Sequence, residues 1–144
     1  MSTFNVPGEV ARMSYSLSSE EEVVALVRGV ANEVYDPCGL AQGVSIGIVD
    51  LGLIRGLNVE RLEGGWEVSL RIRLTSPGCF YFFYFQREIR DRLKAVPQIR
   101  SLNIEWDEVL DWTPEEMSEW AHLKLKAHRE KVLAANIART GRKG

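Results

Sequence analysis

The stretch Leu74-Thr75-Ser76-Pro77-Gly78-Cys79 joins the clearest strand pattern in the sequence to a run of six consecutive aromatic residues. Apolar and polar side chains alternate along residues 66–75, which is typical of a strand with one buried face. The apolar positions are Trp66, Val68, Leu70, Ile72 and Leu74, and the polar positions are Glu67, Ser69, Arg71, Arg73 and Thr75. Ser76-Pro77-Gly78 then predicts a turn, which places Cys79 at its exit.

Residues 80–96 allow two interpretations. Pro-Gly between apolar runs is typical of a hairpin that returns as an aromatic strand. Three observations favour a helix instead: apolar side chains recur every three or four residues, residues 86–94 are rich in helix formers, and Pro97 would end the helix. The apolar row is Phe82, Phe85, Ile89, Leu93 and Val96. We expect the helix, and because six successive aromatics then cover all sides, some of Phe80, Tyr81, Phe83 and Tyr84 should face another surface.

The chain before this point predicts one helix and a hairpin. Ser18 or Ser19, followed by three glutamates, is an N-cap signal for a first helix that runs to about Val34. Residues 48–54 lead into a strand through Leu57 and Val59. Residues 63–65, Glu-Gly-Gly, are the turn that pairs this strand with the Trp66 strand.

The chain after the aromatic helix predicts one more strand and a final helix. Leu102, Ile104 and Trp106 alternate with polar residues, and a right-handed crossover places this third strand parallel to the second. Thr113-Pro114-Glu115-Glu116 resembles a capping box, which predicts a helix from there to about Ala138. The expected fold class is α+β, with a small mixed three-stranded sheet and the order α-β-β-α-β-α.

Composition indicates a soluble globular domain. The chain has 144 residues, of which 45% are hydrophobic and 26% charged. No apolar run approaches the roughly 18 residues of a membrane span, and no secretory signal begins the chain, so we expect a cytoplasmic protein without a membrane partner. Cys38 and Cys79 are too few for a disulfide framework, and in a reducing compartment they are free, metal-binding or reactive.

Common catalytic and nucleotide-binding motifs are missing from the sequence. It contains no Cys-x-x-Cys, no His-Glu-x-x-His and no Gly-Lys-Ser. The sequence therefore does not favour a conventional metalloenzyme or a nucleotide-binding protein.

Charge is distributed unevenly. Residues 105–119 hold seven acids and no base, whereas residues 122–144 hold seven bases against Glu130 alone. Because the isoelectric point is about 5.8 and no nucleic-acid-binding motif occurs, we expect no nucleic acid partner. Docking on an acidic protein surface or simple solvation accounts for the basic end. We divide the chain into a flexible arm (1–18), a domain (19–121) and a basic helical extension (122–144).

Four motifs in order resemble the MIP18 family: Asp36-Pro37, residues 48–54, residues 74–79 and residues 112–118. This family, also known as DUF59, includes the PaaD-like proteins of phenylacetate degradation and has a small α/β fold with the predicted element order. The resemblance covers about residues 20–120. It implies iron-sulfur cluster assembly or metalloprotein maturation rather than classical enzyme catalysis, with Cys79 as the main functional residue. It further implies a client metalloprotein, such as a metal-dependent oxygenase, or the cluster assembly machinery as partner, and transient iron or an iron-sulfur cluster as cargo.

The sequence departs from this family at several points. Cys38 stands where the family has an acidic residue, and the loop from there to Ile48 is longer. Aromatic residues 80–85 replace apolar and small ones, and the cysteine-rich C-terminal extension of the PaaD-like branch is absent. These differences point to a different client.

The expected site combines Cys79 with Cys38 and Asp36. A helix N-terminus favours the thiolate form of Cys79, and Thr75 and Ser76 either hydrogen-bond this thiolate or only form the turn. If the Asp36 loop folds against the turn, two thiolates and a carboxylate would bind a soft metal or the edge of a cluster. Cys38 is otherwise a filler residue, and Asp50 is expected as a turn or cap residue.

Three functions remain open at this point. The first is a maturation factor acting through Cys79. The second is a thiol enzyme with Cys79 as nucleophile, and the third is an adaptor that binds proteins through its aromatic helix. We also expect homo-oligomers through the Phe80–Phe85 region, because exposed aromatic rings favour a partner.

Overall fold

The computed structural model describes residues 17–75 and 81–140, except for the side chain of Cys38. The elements in these ranges are α1 (Glu20–Ala31), α2 (Pro37–Ala41), β1 (Ile54–Leu62), β2 (Gly65–Arg73), α3 (Tyr81–Leu93), β3 (Ile99–Asp107), a 3₁₀ turn (Pro114–Glu116) and α4 (Glu119–Thr140). The predicted order is confirmed. The structure adds one short helix, α2, in the loop between α1 and β1. Within the described ranges, no helix is both long and apolar enough to cross a membrane.

The three strands form one mixed sheet in the order β1-β2-β3. β1 and β2 are antiparallel and joined at Glu63 and Gly64, where the positive φ of 85° suits glycine. β3 pairs with β2 in parallel after the α3 crossover. The predicted hairpin and parallel third strand are therefore both confirmed.

The alternation in β2 places its apolar side chains in the core. Trp66, Val68, Leu70 and Ile72 are buried, and they pack with apolar residues of α1 and α3. The remaining buried members of this core are Val23, Val27, Val30, Ala31, Val34, Ile48, Leu53, Leu74, Phe82, Phe85, Ile89, Leu93, Val96 and Ile104. At about 25 cal/mol per Å² of apolar area removed from water, such burial is the main term that holds the two helices on the sheet.

Helix α1 begins as predicted and ends earlier. Ser19 and Glu22 form a capping box, in which the Ser19 side chain accepts from the Glu22 N–H. The helix stops at Ala31 rather than Val34, because Asn32 is the C-cap and its side chain bonds Asp50 instead of facing solvent.

The segment after Cys79 is a helix, not a returning strand. In α3, Phe82 and Phe85 are buried, whereas Tyr81 is 37% exposed and Phe83 is 63% exposed. The expectation that some aromatics face outward is confirmed for these two residues. Phe80 lies outside the described residues.

The predicted capping box at Thr113 is wrong. Thr113 makes no side-chain cap bond, and Pro114–Glu116 forms only a 3₁₀ turn. Helix α4 begins at Glu119, where Ser118 Oγ accepts from the Ala121 N–H at 3.1 Å. The start is fixed there because the Ser118 N–H donates to the Asp50 carbonyl at 2.8 Å, which ties this point to the loop before β1.

Candidate functional site

The expected site lies partly outside the described residues. Ser76 and Cys79 fall in the connection 76–80, and the side chain of Cys38 is not described. The residues on either side of this connection are described: Leu74 is buried, Thr75 is exposed, and α3 begins at Tyr81. The connection therefore leaves the C-terminal end of the central strand and leads directly into a helix.

Asp36 serves as the N-cap of α2. Its Oδ2 accepts from the Gly39 N–H at 3.0 Å, and Pro37 occupies the first turn, where its missing N–H costs nothing. The Val44 N–H donates back to the Gly39 carbonyl at 2.8 Å and closes the loop. One carboxylate oxygen predicted as a metal ligand is thus engaged in capping the helix that carries Cys38.

The two loops that carry the cysteines start from the same end of the sheet. β1 begins and β2 ends there, since the two strands are antiparallel. A series of backbone hydrogen bonds connects them: Ile48 donates to Val34, Leu53 to Ile48, and Arg73 to Leu53, at 2.8–3.0 Å. The Asp36 loop and the connection 76–80 therefore begin from one rigid framework.

A group of charged residues closes this end of the sheet. Arg55 Nε donates to Asp107 Oδ2 at 2.6 Å, and the same guanidinium pairs with Asp111. Arg73 is only 8% exposed, with its Nη1 at 3.5 Å from a Glu116 oxygen and 3.7 Å from an Asp111 oxygen. These contacts hold the segment after β3 across the end of β2.

Contacts within this group shift the pKa values of Asp107 and Arg55. The pKa of Asp107 lies below its ordinary value, because the carboxylate accepts a hydrogen bond from the Val109 N–H and pairs with Arg55. The pKa of Arg55 is raised, chiefly by its hydrogen bond to Asp111. Both groups therefore keep their charge at neutral pH.

Sequence reasoning missed this group. Alternation placed Arg73 on the polar face of β2, where an exposed side chain is expected, yet Arg73 is buried because residues 107–116 fold over it. Its Nε has no hydrogen-bond partner among the described residues. In the β2–β3 register, Arg73 lies opposite Asp107. This position beside an acid could have indicated that Arg73 is not simply exposed, but it can be found only once the parallel alignment of β2 and β3 is known.

The described residues alone do not form a metal site. Within 17–75 and 81–140, no three His, Cys, Asp or Glu side chains are grouped to hold an ion. Asp50, expected as a turn or cap residue, bonds Asn32 through both its N–H and its carboxylate. The sulfur ligands of any transient site would have to come from the two cysteines, whose side chains lie outside the described part.

Comparison with known proteins decides the family. The family model described as "Iron-sulfur cluster assembly protein" matches residues 25–106, more than half of the chain. The chain belongs to this iron-sulfur cluster assembly family. The resemblance found in the four motifs is thereby confirmed, and the matched range ends within β3, before the 3₁₀ turn and α4.

One further relative and two solved structures are similar to this chain. A "Fe-S protein maturation auxiliary factor" of Porphyromonas gingivalis is 29% identical over 109 residues, covering 76% of this chain and 92% of the relative. A DUF59 domain of Bacillus anthracis, seen in a crystal structure, has a TM-score of 0.60 at 23% identity and covers 74% of this chain and 93% of its own, which confirms the fold. A solution structure from Mycobacterium tuberculosis, of a protein associated with Fe-S complex assembly and repair, has a TM-score of 0.45 at 28% identity, covering 81% of this chain and 93% of its own.

Proposed function

We propose that this protein matures iron-sulfur proteins, or other metalloproteins, with Cys79 as the thiolate that handles iron or a cluster. The observation that carries the proposal is the family match over residues 25–106, which includes the Leu74–Cys79 motif at the end of the central strand. The relative from Porphyromonas gingivalis, named as a maturation auxiliary factor, supports it.

The chemistry proposed for Cys79 is ligand exchange. Iron or a cluster is the cargo, and a thiolate binds iron without any change in oxidation state. Because α3 begins at Tyr81, the backbone N–H groups of its first turn favour a negative charge near the connection 76–80. Cys38 and Asp36 would contribute further ligands, and Thr75 and Ser76 would donate hydroxyl hydrogen bonds to the thiolate. The client is a metalloenzyme, of which a metal-dependent oxygenase is one candidate.

The thiol-enzyme alternative has less support. A cysteine nucleophile needs a general base within hydrogen-bond reach. The base would have to be Asp36, Asp50 or a histidine, and each of the two carboxylates already accepts a hydrogen bond, Asp36 from the Gly39 N–H and Asp50 from the Asn32 side chain.

A second candidate function, the protein adaptor, is favoured by one observation. Phe83 is 63% exposed on α3, which leaves an aromatic face of this helix outside the core. This face would hold a client or a second copy through the Phe80–Phe85 region.

The test uses a strain from which the gene has been deleted. Wild type, Cys79→Ala, Cys79→Ser and Phe83→Ser are returned to it, and the iron content and activity of an affected iron-sulfur enzyme are measured. We expect both Cys79 variants to fail and the purified variants to retain the wild-type circular dichroism spectrum. Full activity with folded Cys79→Ala contradicts the thiolate mechanism, and failure of Phe83→Ser in the same experiment then favours the adaptor.

A further inference from the structure

A cavity opens between the end of α3 and the start of β3. Its volume of about 220 Å³ is below the roughly 300–1,000 Å³ of pockets for drug-sized ligands, so it suits a smaller molecule. Because β3 is parallel to β2 and begins beside Trp66, the cavity lies at the end of the sheet with the β1–β2 turn. The connection 76–80 leaves the other end. The lining includes three cations and three apolar residues, namely Arg90, Lys94, Arg100, Leu93, Ile99 and Leu102.

The charges around this cavity have one sign. No carboxylate is among the described residues that line it. The Lys94 N–H donates to the Arg90 carbonyl at 3.0 Å, so helical spacing brings these two cations to the same side of the end of α3, where like charges repel. Lys94 Nζ lies 3.5 Å from an Asp91 oxygen, but both side chains are exposed and such a pair is weak. Arg90 and Arg100 form no ion pair with any described residue. A cleft lined by one sign of charge attracts ions of the opposite sign.

Both guanidinium groups are held in place by the backbone. Arg90 Nη1 donates to the Leu102 carbonyl at 3.3 Å, and Arg100 Nη1 donates to the Gly64 carbonyl at 3.4 Å. The Arg100 stem lies against Gly65, where an added Cβ atom would come within 2.4 Å of the Arg100 Cγ. Each of the two hydrogen bonds takes up one of the five N–H donors of a guanidinium. The other donors suit the paired oxygens of a carboxylate or a phosphate.

We propose that this cavity binds a small anion with two or more negative charges, carried by phosphate or carboxylate groups. Arg90 and Arg100 bind its oxygens, Lys94 adds positive charge, and the apolar residues of the lining contact the rest of the molecule. The bound anion also offsets the repulsion among the three cations. This goes beyond the maturation function, because the cavity lies at the far end of the sheet from the connection that carries Cys79, and binding requires neither cysteine.

The first experiment titrates the isotope-labelled full chain with inorganic phosphate and, separately, with citrate, and follows the backbone amide signals by NMR. Sodium chloride keeps the ionic strength constant, because screening alone changes every charge contact. Saturable shifts confined to the region of residues 90–102 are expected at millimolar concentration or below. Acetate, with a single charge, should bind at least about tenfold more weakly. Saturation by either phosphate or citrate supports the proposal, and the ratio of their affinities shows which group is preferred.

Substitutions of the two arginines test the assignment of the site. Arg90→Gln and Arg100→Gln should each weaken the binding of the preferred anion by about tenfold or more, because each removes a charged donor. Arg100→Lys keeps the charge but loses the planar fork, so its affinity should fall between those of the wild type and Arg100→Gln. Circular dichroism confirms that each variant stays folded.

Two matched controls separate binding at the cavity from a general loss of positive charge. Arg87→Gln makes the same change on α3, at an exposed side chain that lies near Glu88 and outside the cavity lining. Arg71→Gln makes it in the sheet, where the side chain pairs with Glu105. Both controls are expected to bind the anion within about twofold of the wild type, since exposed charges are well screened.

Three results would overturn the proposal. The first is the absence of a saturable shift with both phosphate and citrate, and the second is a shift that maps to another part of the chain. The third is an equal loss of affinity in the controls and in the Arg90 and Arg100 variants. Binding of a single-stranded oligonucleotide or an acidic peptide at these residues, without competition by either small anion, also overturns it, because the ligand is then a polymer.

Discussion

Asn32 and Asp50 exchange two hydrogen bonds across the loop that carries Cys38. Asn32 Nδ2 donates to Asp50 Oδ2 at 2.8 Å, and the Asp50 N–H donates to Asn32 Oδ1 at 2.9 Å. Asn32 is the C-cap of α1, and the Asp50 carbonyl accepts from the Ser118 N–H. This one pair therefore connects the end of α1, the entry to β1 and the start of α4.

Replacing Asn32 by alanine should destabilise the fold by about 2–3 kcal/mol, because a half-buried carboxylate and an N–H each lose their partner. The free energy of unfolding in urea measures the change. Asn58→Ala, at an exposed position of β1, is the control and should change stability by about 0.5 kcal/mol or less. Equal effects of the two substitutions would show that the Asn32 pair has no special role.

Gly47 marks the place where this loop approaches α1 most closely. A Cβ atom at position 47 would collide with the carbonyl oxygen and Oδ1 of Asn32. Gly47→Ala should therefore cost several kcal/mol or prevent folding, since backbone would have to move. Gly29→Ala meets nothing within 4 Å and lies in α1, so it should stabilise by about 0.5–1 kcal/mol. Thermal unfolding of both variants checks these opposite signs.

Single helices and strands could be predicted from the sequence, whereas contacts between elements far apart in the chain could not. The alternation in β2 and the three- and four-residue steps in α3 concern neighbours along one chain segment, and both gave the correct structure. The parallel β3 followed because right-handed crossovers have few alternatives. By contrast, the burial of Arg73 results from residues 107–116 folding over it, which no local pattern reports.

The start of α4 illustrates the same limit. Thr113 with Pro114 and two glutamates satisfies the local rules for a helix start, and so does Ser118. The choice falls on Ser118 because its N–H bonds the Asp50 carbonyl, sixty-odd residues earlier in the chain. The site was predictable to a similar degree: the resemblance identified the family, but the role of Asp36 as the cap of a five-residue helix required the structure.

Stability should depend on pH through Asp107. Its pKa is depressed in the folded protein, so the stabilisation is present above the unfolded value of about 3.9 and is lost as pH falls through the lower, folded value. Wild type and Asp107→Asn should therefore differ in urea midpoint at pH 6, and the difference should shrink as the pH falls below about 3.9. A difference that grows on acidification would contradict the assigned direction.

The last prediction concerns the two cysteines, which we expect to lie within reach of each other. Their loops start from the same end of the sheet, joined by the backbone bonds that run from Val34 through Leu53 to Arg73. Two thiolates on one tetrahedral ion would sit about 3.8 Å apart, given metal–sulfur bonds of about 2.3 Å. A short reagent that alkylates two thiols should therefore cross-link Cys38 to Cys79 within one native chain, as seen by mass spectrometry after proteolysis. The cross-link should disappear in denaturant, where the loops separate, and in Cys38→Ser. Native protein that carries only singly modified cysteines would remove the two-thiol site and leave Cys79 to act alone.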